Sequence, residues 1–276
     1  RFAGFTFGAA RDNFSFMPSI FYGAGHWASF ANGAKQIAYT AVLGGGFSAT
    51  VALQDYNDTT NGIQTNALGA VGDYTYRYKT SSPQVNGRID FDQAWGTVSV
   101  SGAFANANLQ KKDDAAYYAK SKSVWAVGSG VKINLPQLAA GDALWLTAAY
   151  ADGMTEYTGN YASFKSSAQK GDVYGFVVNP AGVIGQSTGL ESVKSWNVAG
   201  ILQHFWAPQW RHTTFASYFA WTAPDTSKAT VWNGKDGFGN GNALSIGSQL
   251  AFVPTKDFEI GVEAIYARVS QDVRYT

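Results

Sequence analysis

Between residues 83 and 104, apolar and polar positions alternate with a period of two. Val85, Gly87, Ile89 and Phe91 take one set of positions, and Gln84, Asn86, Arg88, Asp90 and Asp92 take the other. After Gln93 and Ala94 the alternation resumes, with Gly96, Val98, Val100, Gly102 and Phe104 against Thr97, Ser99 and Ser101. A period of two places successive side chains on opposite faces of an extended strand. The link is too short to join anything but antiparallel neighbours. The same unit recurs over residues 1–8, 36–43, 47–55, 123–135, 144–150, 196–206, 211–221, 244–252 and 258–266. The total is about eleven strands, with no segment of helical period. Over 211–221 the inward set stays open, because Phe215 and Phe219 compete with Ala216 and Tyr218.

The connections alternate too. Residues 44–46, 93–94, 136–142, 207–209 and 254–257 form short turns. Residues 9–34, 57–82, the stretch around Lys111, 154–194 and 222–242 form long loops. A soluble sandwich or propeller accounts for alternating strands but has no reason to send every long loop to one end. A transmembrane β-barrel does, with short turns on one side of the membrane and long loops on the other. Aromatic residues gather where the strands end: Phe47, Phe91, Trp95, Trp206, Trp210, Phe252 and Phe258 lie beside the short turns, and Tyr150 and Tyr266 toward the long loops. Such rows mark the two membrane interfaces. The expected fold is therefore all-β, a single antiparallel transmembrane barrel domain over residues 1–276. Its short turns are expected at one end.

Composition sharpens this reading. Charged residues make up only 14% and aromatic residues 15%, yet the mean hydropathy is −0.14. A bundle of membrane helices would be far more apolar, and no run of about 18 apolar residues exists. Cysteine is absent, which removes disulfides and thiolate metal sites. A net charge of +1 gives no footprint for a nucleic-acid partner.

Candidate chemistry is sparse. His204 and His212 flank one short turn and could meet across it, but no third ligand type lies near them, so no metal is assigned. Ser217 and His212 fall on opposite faces of one strand, which argues against a hydrolase pair. No catalytic residue and no cofactor is assigned. The polar faces instead supply pore-lining candidates: Arg88, Asp90, Lys132, Asn134, Gln249, Glu259 and Glu263, with Asp92 beside them. On the apolar faces Val98, Val100, Val131, Ile133, Leu144, Leu146, Ile260 and Val262 are expected to meet lipid.

Several segments carry a family resemblance. RFAGFTFG, QIAYTAVLGGGFSATVALQD, PQVNGRIDFDQAWGTVSVSGAF, GVKINLPQLAAGDALWLTAAYADG and AGILQHFWAPQWRHTTFASY, in this order, resemble successive strands and hairpins of the alphaproteobacterial porins of the rhizobial and brucella type. The resemblance implies a Gram-negative outer-membrane channel, passive toward small hydrophilic solutes and ions. It also implies a homotrimer in contact with outer-membrane lipid and lipopolysaccharide. A substrate-selective channel and a structural or adhesive barrel are the alternatives. Family barrels have about sixteen strands, so about four before residue 1 and about one after residue 276 are expected to lie outside this chain. Residues 9–34 resemble the loop that folds into such barrels and narrows them. Its candidates are Arg11, Asp12, Phe14, Phe16, Phe21, His26 and Trp27. Its apolar body departs from the usual acidic loop. Gly4, Gly8, Gly128 and Gly130 are expected to leave space for it on the wall, with Arg11, Asp12 and His26 left to meet the solute.

Overall fold

The computed structural model describes residues 3–18, 21, 34–55, 63–65, 76–78, 83–107, 109–111, 122–159, 164–166, 169–171, 176–180, 187–224 and 239–272. Eleven strands form one sheet. They are β1 (Phe5–Ala10), β2 (Ala34–Gly44), β3 (Phe47–Gln54), β4 (Gln84–Gln93), β5 (Gly96–Ala107), β6 (Lys122–Asn134), β7 (Ala143–Asp152), β8 (Lys194–Ala207), β9 (Trp210–Thr222), β10 (Gly241–Thr255) and β11 (Phe258–Gln271). Each pairs antiparallel with its neighbours in sequence, and β1 and β11 are the edges. This is the wall of an antiparallel β-barrel.

Sequential antiparallel order puts the five short turns at one end, and they are laced together there. Asp92 N–H donates to Gly46 O (2.8 Å), Asn134 N–H to Trp95 O (2.8 Å) and Val253 N–H to Gln209 O (2.8 Å). Gly44, Gly45 and Gly46 have φ of 89°, 61° and 90°, a left-handed run that side-chain-bearing residues avoid. A Cβ on Gly46 would also stand 2.1 Å from Asp92 O. Register shifts at Val42/Gly44, Phe205/Ala207 and Phe252/Thr255 fall beside turns, where an extra residue bends the strand without interrupting the membrane-spanning ladder.

The long-loop end holds more structure than its sequence suggests. Phe176–Pro180 pairs antiparallel with Ser187–Ser192 and parallel with Ile63–Thr65. Tyr76–Tyr78 pairs with Leu109–Lys111, and Phe164–Ser166 with Gln169–Gly171. A 3₁₀ turn, Thr155–Tyr157, follows β7. Loops from different hairpins thus bind one another through their backbones. No hydrophobic periodicity marks these pairings, since they rest on main-chain bonds.

The two faces of the sheet differ in kind. Outward positions are large and apolar and stay open, among them Ile37, Val51, Ile89, Val100, Val127, Leu146, Val198, Ile246, Ile260 (60%) and Val262 (78%). So continuous an apolar surface belongs in lipid, because soluble monomers rarely expose patches beyond a few hundred Å². Aromatic rings bound it at both ends. Phe47 and Phe91 (4.4 Å between centroids) and Trp210 and Phe252 (4.9 Å) pair beside the short turns. Trp125 and Tyr150 (5.4 Å) and Trp196 and Tyr218 (5.4 Å) pair toward the loops. Trp196 and Trp206 are both exposed on β8. At about 3.3 Å per residue and a tilt of about 40°, the stretch between them spans about 25 Å, the height of the apolar band in such barrels.

The inward positions are small or polar: Ala52, Asn86, Ser99, Ser101, Ala126, Ser195, Asn197, Ser217 and Ser245 are all buried. The open question on β9 resolves here. Phe215, Phe219 and Trp221 point inward and are buried, while Ala216 and Tyr218 face out. Apolar packing inside pulled them in. Met17, Ala143, Trp145, Ala199, Ile201 and Phe215 form one cluster, and Val193, Phe219, Trp221, Ala223 and Ala243 another.

The face assignment makes a direct prediction. Val100→Arg puts a cation into the lipid-facing band and should destabilise the barrel by about 2–4 kcal/mol. Thr97→Arg on the inner face should be nearly neutral, because Thr97 already donates to Asp92 (2.5 Å) and an arginine there would pair with that carboxylate. Ser99, the inner position next along β5, is a poorer comparison because it is 2% exposed and lies under other residues. Reversible urea unfolding in lipid vesicles measures both variants. Equal destabilisation would refute the assignment.

Candidate functional site

The sheet curves around residues 11–18 and Phe21. Along this short stretch the chain touches β2 at one end and β9 at the other. Asp12 starts it. Its carboxylate accepts from the backbone N–H groups of Phe14 (2.8 Å) and Ser15 (2.9 Å) and from the Ser15 hydroxyl (3.2 Å). An aspartate two or three residues before free N–H groups closes such a turn on itself. Arg11 spans the turn from outside, donating to the carbonyl of Met17 and more weakly to that of Ser15 (3.5 Å). Burial raises the Asp12 pKa, while the turn's N–H groups and Arg11 oppose the rise. Burial likewise lowers the pKa of Arg11.

The turn docks on the wall through two kinds of contact. Hydrogen bonds hold its first half. Asn13 donates to Gln36 (2.6 Å), and Gln36 donates to Arg11 O (2.7 Å). Ser101 donates to Phe14 O (3.0 Å) and Arg88 to Ser15 O (3.1 Å). Arg88 is itself fixed by Asp90, 2.8 Å from Nε, and its guanidinium lies 5.5 Å from the Phe16 ring centroid. Apolar contacts hold the second half. Phe14 lies over Gly128 and Phe16 over Gly130. A Cβ at Gly128 would stand 2.9 Å from the Phe14 ring, and one at Gly130 2.3 Å from the Phe16 ring. Met17 is buried against Trp145 and Ile201, and Phe21 meets Phe215 edge-on at 4.6 Å.

Behind Asn13 lies a buried ladder of amides. Gln36, Gln54 and Gln84 are cross-strand partners at one level of β2, β3 and β4. Gln54 donates to Gln36 (3.0 Å), Asn86 to Gln54 (2.7 Å) and Gln84 to Asn86 (2.6 Å). Tyr157, from the 3₁₀ turn after β7, reaches across. Its hydroxyl oxygen accepts from Gln84 and from Asn86 (3.1 Å), and its ring packs on Phe14 at 4.3 Å. Burial and the nearby carboxylates of Asp12 and Glu156 push the Tyr157 pKa up, so the phenol stays neutral. Glu156, also buried, has its pKa raised well above the usual range by desolvation, and one of its oxygens has no hydrogen-bond partner among the described residues.

Of the residues expected in the inward loop, Phe14, Phe16 and Phe21 pack on the wall and Arg11 braces the turn. Asp12 does not face a solute, because it is 4% exposed and turned onto its own backbone. His26 and Trp27 lie outside the described residues. The wall space comes from Gly128 and Gly130. Gly4 and Gly8 do not contribute, since a Cβ at Gly4 would meet Thr40 and Tyr39, and Gly8 has open space beside it.

Arg88, Asp90, Lys132, Asn134, Gln249, Glu259 and Glu263 all fall on the inner face. Gln249, however, is fully buried, between Arg211 (3.2 Å) and Glu263 (3.2 Å), with Glu259 on Arg211 at 2.9 Å. His204 and His212 are cross-strand partners. His204 binds Asp142 (2.5 Å) and His212 binds Ser248 (2.9 Å). The described residues contain no group of three or more potential metal ligands. Ser217 and His212 lie on opposite faces of β9. The amide ladder, Tyr157 and Glu156 are additions that the sequence reading missed. The only trace of the ladder in the sequence is a glutamine at the loop end of three adjacent strands.

The family model described as the porin subfamily matches residues 1–275. Among solved structures, the chain is similar to the outer membrane channel DcaP of Acinetobacter baumannii, with a TM-score of 0.62 and 18% identity over 98% of this chain and 69% of that one. It is also similar to a double variant of OccD1 (OprD), with a TM-score of 0.42 and 11% identity over 88% of this chain and 55% of that one. At 18% identity the likeness to DcaP is one of fold. No curated protein matches the sequence.

Two predictions follow the packing of Tyr157. Tyr157→Phe keeps the ring on Phe14 but leaves amide donors of Gln84 and Asn86 short of an acceptor. It should cost about 1–3 kcal/mol in thermal or urea unfolding, the price of an unsatisfied buried donor. Glu156 gives a pH dependence. Its folded pKa is raised, so above the ordinary glutamate range the unfolded chain releases a proton that the folded chain keeps. Stability therefore falls as pH rises through that window. Glu156→Gln should remove this decline and be more stable than the parent at pH 9 but not at pH 4. A parallel pH profile for both proteins would show that Glu156 is not the group responsible.

Proposed function

Because the chain belongs to the porin subfamily, an outer-membrane β-barrel channel, we propose that it passes small hydrophilic solutes and ions by passive diffusion and that residues 9–34 form its constriction. The observation that carries this reading is the seating of residues 11–18 and Phe21 across the concave face from β2 to β9, with aromatic rings pressed into glycine notches at Gly128 and Gly130. A segment in that position takes up cross-section that the solute would otherwise use. Arg88, Asp90, Lys132, Asn134, Glu259 and Glu263 then line the passage, with Gln249 holding Arg211 and Glu263 in place behind it. Transport of this kind needs no reaction. The motif order supports placing the chain with the alphaproteobacterial members. The same resemblance supports a homotrimer embedded among outer-membrane lipid and lipopolysaccharide.

Planar-bilayer recordings test the reading. The purified protein should give discrete conductance steps, and their reversal potential in a salt gradient reads out ion preference. Deleting residues 14–27 should raise the unit conductance severalfold. Phe16→Ala, a milder change that frees the loop from Gly130, should raise it less and make it noisier. Conductance unaltered in both variants would place the constriction elsewhere, and absence of conductance in the parent would leave a structural barrel.

A further inference from the structure

We propose that the inner wall carries a binding subsite for a small polyhydroxylated carboxylate, the size of one sugar acid, on the short-turn side of the inward loop. The proposal deepens the channel reading and rests on it for its location in a solute path. The subsite is a half-open cavity of about 250 Å³ between β6, β7 and β8. It is smaller than the ~300–1,000 Å³ of drug-sized sites, which restricts it to a single small ring or chain. Met17 of the loop packs on Ala143 and Trp145 of the same wall. A solute leaving the constriction toward the short turns would meet this cavity first.

Its chemistry is specific. Lys132 supplies an ammonium group that no carboxylate pairs with among the described residues, held 5.4 Å from the centroid of the Trp145 ring. An aromatic face orients a cation without neutralising it, so the charge stays available to an anion. Asn134 and Gln203 line the cavity with their amides already aimed. The Asn134 amide donates to Ala94 O (3.1 Å) and the Gln203 amide to Gly141 O (3.1 Å). Both donor ends are thereby fixed and both carbonyl oxygens are left as acceptors, which hydroxyl groups satisfy. Ala143 and Trp145 give the cavity its apolar lining, against which a sugar's C–H groups would rest.

Neighbouring acidic groups already have partners of their own. Asp142 also lines the cavity, but its two oxygens are occupied by His204 (2.5 Å) and by the N–H of Phe205 (2.8 Å). Asp92, two strands away, accepts from Thr97 (2.5 Å), the residue opposite Lys132 on β5. Arg211, on β9, is engaged by Glu259 and Gln249. A cation without an ion-pair partner among the described residues, two amide acceptors and an apolar lining together select an anion that carries hydroxyls over either a neutral sugar or a simple fatty acid.

Two measurements on the full chain decide this. Saturation-transfer NMR on the detergent-solubilised protein should show glucuronate binding at millimolar concentration. Glucose and propionate should each bind at least roughly tenfold more weakly, the worth of one charge-assisted hydrogen bond or its hydroxyl counterpart. Lys132→Met, which removes the charge and keeps an unbranched side chain, should weaken glucuronate roughly tenfold. Gln203→Leu, which leaves the charge intact, should weaken it without restoring propionate; this second variant covers a fold defect in the first. In planar bilayers, glucuronate should interrupt the current of the parent and not of Lys132→Met. Glucuronate transfer absent in the parent, or unchanged in Lys132→Met, overturns the subsite even if the channel conducts. Binding with the predicted selectivity in a protein that does not conduct would keep the subsite and overturn the channel reading instead.

Discussion

Hydrocarbon offers no partner to a backbone N–H or C=O, and everything else in this fold follows from that constraint. The nine strands between β1 and β11 each pair with both neighbours in sequence, so across them the sheet leaves no spanning backbone group to lipid. Sequential antiparallel pairing is the arrangement that allows turns of two or three residues. It also forces every short turn to one end. The period-two pattern is the second consequence. A strand in such a wall has a lipid face and an inner face, so Val, Ile and Leu must alternate with residues that an aqueous or polar interior accepts. The register shifts sit beside turns because a bulge frees backbone groups, which water can satisfy there and lipid cannot satisfy mid-span.

Relieved of lipid, the inner face is free to specialise. On β2 to β4 it is a bonded surface of Gln36, Gln54, Gln84, Asn86 and the Arg88–Asp90 pair. On β7 to β9 it is apolar, with Ala143, Trp145, Ile201 and Phe215. The inward turn joins the two. Its first residues complete the amide ladder and its later ones complete the apolar cluster, so neither half of the wall is satisfied without it. The ladder is costly to leave half-made, since each buried amide without a partner carries a penalty of about 1–3 kcal/mol. Tyr157 reaches it from the loop after β7, and this ties the inward turn to a second connection far away in sequence.

Strand positions, faces and the end at which the turns lie were legible because alternation and turn length are local properties. The face of β9 was not. Its aromatic residues fit either side by pattern, and the decision came from Met17 and Phe21 arriving from a loop about 200 residues earlier. The pairings among long loops were illegible for a related reason, being made by backbone bonds between segments whose side chains carry no period. The inward loop could be named as a wall-packing element from its run of aromatic residues beside glycine-bearing strands. Gly128 and Gly130 proved to be the notches and Gly4 and Gly8 did not, because which glycines face the loop depends on strand register and curvature. The amide ladder hid behind ordinary-looking polar residues. A glutamine on a polar face reads as solvated until its cross-strand neighbours are known to be glutamines at the same level.

The two kinds of anchor on the inward turn do different work. Burying one large apolar side chain is worth about 1.5–3 kcal/mol and is insensitive to direction. A hydrogen bond contributes about 0.5–1.5 kcal/mol net and is steep in angle. Phe14, Phe16, Met17 and Phe21 therefore supply most of the free energy that offsets the ordering of the segment. Asn13, Ser101 and Arg88 fix where along the wall it lies. Arg88 belongs to both sets, since its guanidinium donates to Ser15 O while lying against Phe16. Such a segment resists being pulled off the wall yet keeps a defined height in the barrel. A constriction needs both properties, because a loop held by apolar contacts alone could slide and one held by hydrogen bonds alone would compete poorly with water.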